Sequence, residues 1–159
     1  MASSETTPTS RGRSQIQKGA IAVGAVFLLV GIAGFIPGIT THYSMLMVAG
    51  PMSDAKLLGL FQVSVLHNAV HLLFGVAGIV LSRTPLRARN FLLYGGLVYA
   101  VLFFYGLEIT YSSPANIVPL NAADTVLHFV LAIGMIGLSF LLDRGPEWRQ
   151  TLIDGKAVI

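Results

Sequence analysis

The composition of this 159-residue chain is typical of a membrane protein. Hydrophobic residues make up 54% of it and charged residues only 11%, whereas a soluble domain carries about 25% charged residues. The chain contains no cysteine, which excludes disulfides, thiolate metal sites and thiol redox chemistry. The net charge of +3 requires no nucleic-acid partner, because the Lys and Arg residues that produce it also orient helices in a membrane.

Four apolar stretches are long enough to cross a bilayer as helices. They are residues 19–36, 57–81, 90–111 and 121–142, and each is near or above the ~20 residues that cross a ~30 Å hydrocarbon core. Continuous apolar runs such as 20–36 lack the alternation of a barrel strand. Because a spanning segment must satisfy its own backbone hydrogen bonds, the pattern predicts an all-α fold, a four-helix transmembrane bundle.

The chain begins with a polar segment, residues 1–17. This segment is rich in Ser and Thr and has no periodic apolar positions, which predicts a disordered cytoplasmic tail. The transmembrane domain is predicted to follow over residues 18–143. We expect its first helix to end at Pro37-Gly38, because both residues break helices. The first apolar run is longer than the core of a signal peptide, so we expect it to remain in the protein.

Two short segments are predicted to bound the second span. Ser53-Asp54 is expected to start its helix, since both residue types cap helices. Segment 82–90 is short, basic and contains Pro85, which predicts a turn that makes spans two and three an antiparallel hairpin.

The start of the fourth helix is predicted from a cap. The preceding segment, 112–120, carries two prolines and no charge, which predicts a loop packed against the mouth of the bundle. Asn121 is predicted to cap the helix, with Asp124 in the first turn, where the helix dipole favours negative charge. Residues 144–159 are predicted to form a second cytoplasmic tail.

The distribution of basic residues predicts the orientation of the bundle. Nine of the ten Lys and Arg residues lie on one side of the predicted spans, and only Lys56 lies on the other. Because loops rich in Lys and Arg stay in the cytoplasm, both termini of this multi-pass protein are predicted to be cytoplasmic.

Polar side chains recur on one face of three predicted spans. At 100° per residue, His67 and His71 share a face of the second helix, and Asp124 and His128 stack four residues apart on the fourth. Intramembrane ionisable residues face the bundle interior and are functional-site candidates. The predicted cluster consists of His67, His71, His128, Asp124 and Glu108, with Ser64, Asn68, Tyr105 and Asn121 in supporting positions.

The cluster is compatible with several chemistries. His67, His71 and His128 present imidazoles that suit zinc, iron or copper, with Asp124 or Glu108 as a further oxygen ligand or as an acceptor that orients His128. A haem b is the second alternative, with His128 and either His67 or His71 as axial ligands and glycines 75 and 78 leaving room beside the ring. In the third alternative the cluster only holds the helices together by hydrogen bonds, above all between His128 and Asp124. A proton or small-ion path would need polar continuity beyond His71.

Two motifs carry a resemblance to a known family. They are L-H-N-A-V-H-L-L-F-G-V-A-G at 66–78 and V-P-L-N-A-A-D-T-V-L-H-F at 118–129, the second of the type N-x-A-D-x-x-L-H. Through them residues 19–142 resemble a family of small four-span bacterial membrane proteins, common in actinobacteria and called domain of unknown function 4383. The sequence departs from that family at Gln62-Val63-Ser64-Val65, where relatives often carry Asn-Pro. The resemblance implies the fold and a bacterial plasma membrane, but no activity.

The sequence therefore predicts an integral plasma-membrane protein that is non-enzymatic or accessory, with an intramembrane His/Asp/Glu cluster that organises the bundle. The alternative is a metal- or haem b-binding membrane protein in redox chemistry or transport. Predicted partners are the lipid bilayer and either other membrane subunits or a second copy of the chain.

Overall fold

The structure, a computed structural model, describes residues 12–142. Its main elements are four helices, and the predicted all-α bundle is confirmed. The predicted tails before residue 12 and after residue 142 lie outside the described residues. The helices are α1 (Gln15–Ala33), α2 (Val65–Leu81), α3 (Pro85–Glu108) and α4 (Ala122–Leu141), and a small antiparallel sheet of β1 (Thr40–Thr41), β2 (Lys56–Leu57) and β3 (Phe61–Gln62) lies between α1 and α2.

Three of the four helices are long and apolar enough to cross a membrane, judged by length and composition. These are α1 with 19 residues, α3 with 24 and α4 with 20. Helix α2 is also apolar but has 17 residues, which corresponds to about 26 Å at 1.5 Å per residue.

The bundle consists of two closely packed helix pairs, α1 with α2 and α3 with α4. Glycines bring the first pair together. A Cβ on Gly24 would lie 2.9 Å from the carbonyl oxygen of Gly75, and one on Gly78 would lie 2.8 Å from the Cα of Gly24. Because only glycine leaves this space, the two backbones touch, as small residues commonly allow between membrane helices.

The second predicted span is partly wrong. Residues 57–64 form a β-hairpin and its exit instead of helix, and α2 begins only after Ser64, whose side chain accepts a hydrogen bond from the His67 amide. The hairpin turns at Leu58 and Gly59, where φ is 54° and 72°, and left-handed residues of this kind cannot belong to a right-handed helix.

The predicted helix start at Ser53-Asp54 is also wrong. Ser53 is buried, and its hydroxyl donates to the carbonyl of Val63 at 2.6 Å. It therefore closes the loop before α2 and caps no helix.

The first helix is displaced toward the N-terminus relative to the prediction. It begins at Gln15, inside the predicted tail, because the Gln17 side chain accepts a hydrogen bond from the Ser14 amide at 2.9 Å and closes a capping box. It ends at Ala33, and Gly34 is its C-cap. The chain has therefore left the helix before it reaches Pro37.

The third helix also begins earlier than predicted, at Pro85. Thr84 caps it by accepting from the Arg87 amide, and Pro85 occupies the first turn, where its missing N–H costs nothing. The turn between α2 and α3 is therefore shorter than the predicted segment 82–90.

The long connections meet at the end of the bundle where α1 ends, α2 begins, α3 ends and α4 begins, which we call the hairpin end. Asn116 in the α3–α4 loop is buried, and its side-chain amide donates to the carbonyls of Tyr111 and Leu120. The Gly50 amide donates to the carbonyl of Ile117 at 2.7 Å. The loop over 112–120 thus has a buried side chain and packs against the α1–α2 connection, in line with the loop predicted at the mouth of the bundle.

Candidate functional site

Aromatic and histidine rings from all four helices meet in the interior of the bundle. Phe27 of α1 lies with its ring centroid 5.6 Å from that of His71 on α2 and 5.4 Å from that of Tyr99 on α3. Tyr99 in turn lies 5.3 Å from His128 on α4, and His67 lies 4.6 Å from His71. We call these five residues the ring cluster.

The histidines of the ring cluster are almost completely buried. His67 is 4% exposed, His71 8% and His128 3%. Ser64, Gly75 and Gly78 lie on the same buried face of α2, as the 100° spacing predicts. The two helices that carry the histidines therefore both turn their polar stripe inward.

Several polar atoms of this interior have no hydrogen-bond partner among residues 12–142. They include Nδ1 of His67, His71 and His128, together with both polar atoms of the Asn68 side chain. The ring of His67 still interacts with the backbone of Gln62 and Pro119. A buried polar group without a partner is costly, and in native proteins such groups call for a specific explanation, such as a bound water or ion.

Asn68 occupies a separate position from the ring cluster. It is fully buried and lies against Gly34, where an added Cβ would collide with its side-chain amide. The expected supporting role in hydrogen bonding is therefore not seen within the described residues. The contact of Asn68 with α1 is one of packing.

Asp124 lies in the first turn of α4, as predicted, but its carboxylate does not make the predicted contact with His128. Its Oδ2 accepts from the amide of Asn121 at 2.9 Å and from the amide of Gln62 at 3.0 Å, and the Asn121 side chain accepts from the Asp124 amide. The predicted cap at Asn121 is confirmed. The predicted hydrogen bond from His128 to Asp124 is not formed. The carboxylate instead accepts from the Asn121 amide at the start of α4 and from the Gln62 amide of β3.

The third helix contributes other residues than those predicted. Glu108 is exposed at its last turn, and the Tyr105 hydroxyl donates to the Ala115 carbonyl in the following loop. Tyr99, which is 3% exposed, takes the central position. Tyr99 follows Leu92 by seven residues and Gly95 by four, which places the three on one face of α3, but the sequence alone does not show that this face is the buried one.

The metal alternative depends on the arrangement of ligand side chains, and the haem alternative depends on free space beside the glycines of α2. Within residues 12–142, no three His, Asp or Glu side chains stand in an arrangement that could hold a metal ion, although the His67 and His71 rings are adjacent. The space expected beside Gly75 and Gly78 for a haem is filled by α1. A Cβ on Gly75 would lie 2.6 Å from the Leu28 side chain.

A second polar group lies in the loop at the hairpin end. Asp54 accepts from Lys56 Nζ at 3.3 Å and contacts His42 Nδ1 at 3.1 Å. Lys56, followed by His42, lowers the pKa of the Asp54 carboxyl below its usual value of 3.8. All three side chains are partly exposed, so these contacts hold the loop rather than form a buried centre.

A helical bundle with three helices that are long and apolar enough to cross a bilayer is typical of an integral membrane protein. The family described as domain of unknown function 4383 matches residues 17–141. The chain belongs to that family, and the resemblance noted in its sequence is confirmed. No curated protein and no solved structure matches the chain.

Proposed function

We propose that this protein is a non-enzymatic, accessory membrane protein of the bacterial plasma membrane, whose ring cluster organises a bundle of four crossing helices. The observation that carries this proposal is the convergence of one ring from each helix, with centroid separations of 5.3–5.6 Å between neighbouring helices. Aromatic pairs at such distances stabilise a core beyond the area they bury. The rings therefore act as the common contact of the four helices.

Exchange of one histidine for phenylalanine tests this role. His71→Phe keeps the ring and removes the unpartnered nitrogen, so an organising role predicts a thermal stability equal to or above that of the wild type. His71→Ala removes the ring and should destabilise by about 2–5 kcal/mol, as other large-to-small core substitutions do. If His71→Phe destabilises as much as His71→Ala, the imidazole nitrogens matter and the organising role is wrong.

Transition-metal binding is the second candidate, and one specific observation favours it. His67 and His71 are buried neighbours four residues apart on α2, and each has an unpartnered Nδ1. Two imidazoles on one helical face suit zinc or copper. A metal that binds the folded state raises its melting temperature, so Zn²⁺ or Cu²⁺ should stabilise the wild type but not His71→Phe.

The partners we propose are the surrounding lipids and a second membrane subunit, either another protein or another copy of this chain. An open apolar groove of about 360 Å³ runs along α3 and is lined by Tyr94, Leu97, Val98, Val101 and Leu102. Its apolar lining suits an acyl chain or a neighbouring helix. Val101→Cys, in a chain without native cysteine, would form an oxidative dimer in bilayers if a second copy occupies this groove.

A further inference from the structure

The tip of the β-hairpin carries apolar side chains that the fold does not bury. Leu58 is 71% exposed and Leu60 is 55% exposed. The Leu58 amide donates to the carbonyl of Ile39 at 2.9 Å, so Ile39 lies beside the two leucines. Ile39 is also apolar and is 38% exposed. We call Ile39, Leu58 and Leu60 the tip patch.

The backbone makes the leucine at the tip unusual. The turn is closed by the Leu60 amide on the Leu57 carbonyl at 3.1 Å, and its two central residues both have positive φ. Turns of this type favour Asn-Gly at the two central positions, because asparagine and glycine tolerate a positive φ and most other residues are strained by it. Leu58 therefore adopts a disfavoured conformation while its side chain points out of the fold, and the folded chain itself gains little from a leucine at this position.

Hydrogen bonds to α4 fix the depth of the tip. The Asn121 side chain donates to the Leu60 carbonyl at 2.9 Å, and Asp124 accepts from the Gln62 amide. Asn121 is the N-cap of a 20-residue helix, which spans about 30 Å and so matches the hydrocarbon core. Leu60 consequently lies at the level where α4 leaves that core.

The length of α2 points to the same level. The hairpin directly precedes this 17-residue helix, which at about 26 Å is shorter than the ~30 Å core. The strands cannot lie deeper, because unpaired backbone groups are not tolerated in hydrocarbon. The boundary between headgroups and acyl chains accepts both the apolar side chains and the strand edges.

We propose that the tip patch inserts into the headgroup–acyl boundary of the bilayer that holds the bundle and anchors the hairpin end there. The binding partner is the lipid surface itself, without selection for a headgroup. The proposal depends on the bundle lying in a membrane and not on which side the hairpin faces. It is also independent of what the ring cluster does.

Single-cysteine labelling in proteoliposomes tests the anchor. Leu58→Cys and Leu60→Cys would each carry an environment-sensitive fluorophore, and Ser112→Cys in the exposed α3–α4 loop serves as the control at the same end of the bundle. We expect blue-shifted emission at 58 and 60, with strong quenching by a nitroxide placed high on the lipid chain and weak quenching by iodide. The control should show the opposite pattern.

Two results would overturn the proposal. Equal iodide quenching at 58 and 112 would place the tip in water. Protection of position 58 from both quenchers would place it under a protein surface. To test whether the fold itself needs a leucine at the tip, the unlabelled variant Leu58→Asn is heated in detergent. It should keep or raise the melting temperature, because asparagine tolerates the left-handed conformation. A lower melting temperature would show that the fold itself needs Leu58, and would also overturn the proposal.

Discussion

The Asp124 side chain connects two separate segments at the hairpin end. Its carboxylate accepts from Asn121 and from Gln62, which joins the start of α4 to β3. Asp124→Ala leaves both amides without this acceptor, and we expect a loss of about 1–3 kcal/mol. Unfolding of the purified protein by heat measures this loss. Asp124→Ala should also loosen β3, which would appear as faster hydrogen exchange at the Gln62 amide. His128→Ala breaks no hydrogen bond to Asp124 and should leave this exchange unchanged.

A second prediction concerns Asn68 and Gly34. A Cβ at position 34 would collide with the Asn68 side chain, so Gly34→Ala should destabilise the protein by about 1–3 kcal/mol, as overpacking does. In an Asn68→Ala background the collision is absent and the cost should fall. Equal costs in the two backgrounds would show that α1 moves away from α2 instead.

The third prediction is a pH dependence at the loop. Lys56 and His42 lower the pKa of Asp54 below 3.8. The contact therefore stabilises the fold fully at pH values above the pKa of Asp54 in the unfolded chain. This stabilisation is lost only as the pH falls through the lower pKa of the folded state. Asp54→Asn should therefore lower the melting temperature slightly at pH 7 and leave it unchanged near pH 2. A difference that already disappeared at pH 5 would contradict this assignment.

At the scale of elements, the contact between α1 and α2 depends on glycine. A methyl group at position 24 would meet the Gly75 carbonyl and the Ile79 amide, which are backbone atoms and cannot turn aside. Gly24→Ala should cost about 1–3 kcal/mol. Gly134→Ala is the matched control, because a Cβ there meets no atom within 4 Å. It should be neutral or stabilising, since alanine is the better helix former.

Prediction from sequence succeeded for elements whose signal is local. The cap of α4 at Asn121 depends on residues three positions apart, and helix α4 depends on a continuous apolar run. It failed at 57–64, where Leu57, Leu60 and Phe61 are as apolar as the helix that follows. Hydropathy does not distinguish a buried strand from a helix over so few residues. The usable signal was Gly59, which marks the turn.

The same limit applied to the site. His67, His71 and His128 were identified because a charge-capable side chain in an apolar helix is rare. Their relation to Asp124 was not predicted correctly, because spacing on one helix says nothing about β3, which arrives from a distant part of the sequence and claims the carboxylate. Glu108 and Tyr99 lie on one helix, and only packing against the other three decides which of them faces inward.

For the whole molecule, the distribution of Lys and Arg makes orientation a testable prediction. The turn between α2 and α3 should face the cytoplasm and the hairpin end should face outward. In intact cells, an impermeant thiol reagent should label Ser112→Cys and leave Arg83→Cys unlabelled until the membrane is broken. Labelling of Arg83→Cys in intact cells would invert the topology and move the Asp54–Lys56 contact into the cytoplasm.

The start of α2, which Ser64 caps, is also covered by residues 47–48 of the preceding loop. The amides of Val65 and Leu66, which would otherwise be free at the helix start, donate to the carbonyls of Met47 and Val48 at 3.0 and 2.9 Å. These N–H groups at the start of α2 are therefore satisfied by the chain itself and are not available to bind an anion. Phosphate or chloride should leave the amide resonances of Val65 and Leu66 unmoved, and both protons should exchange slowly with solvent deuterium.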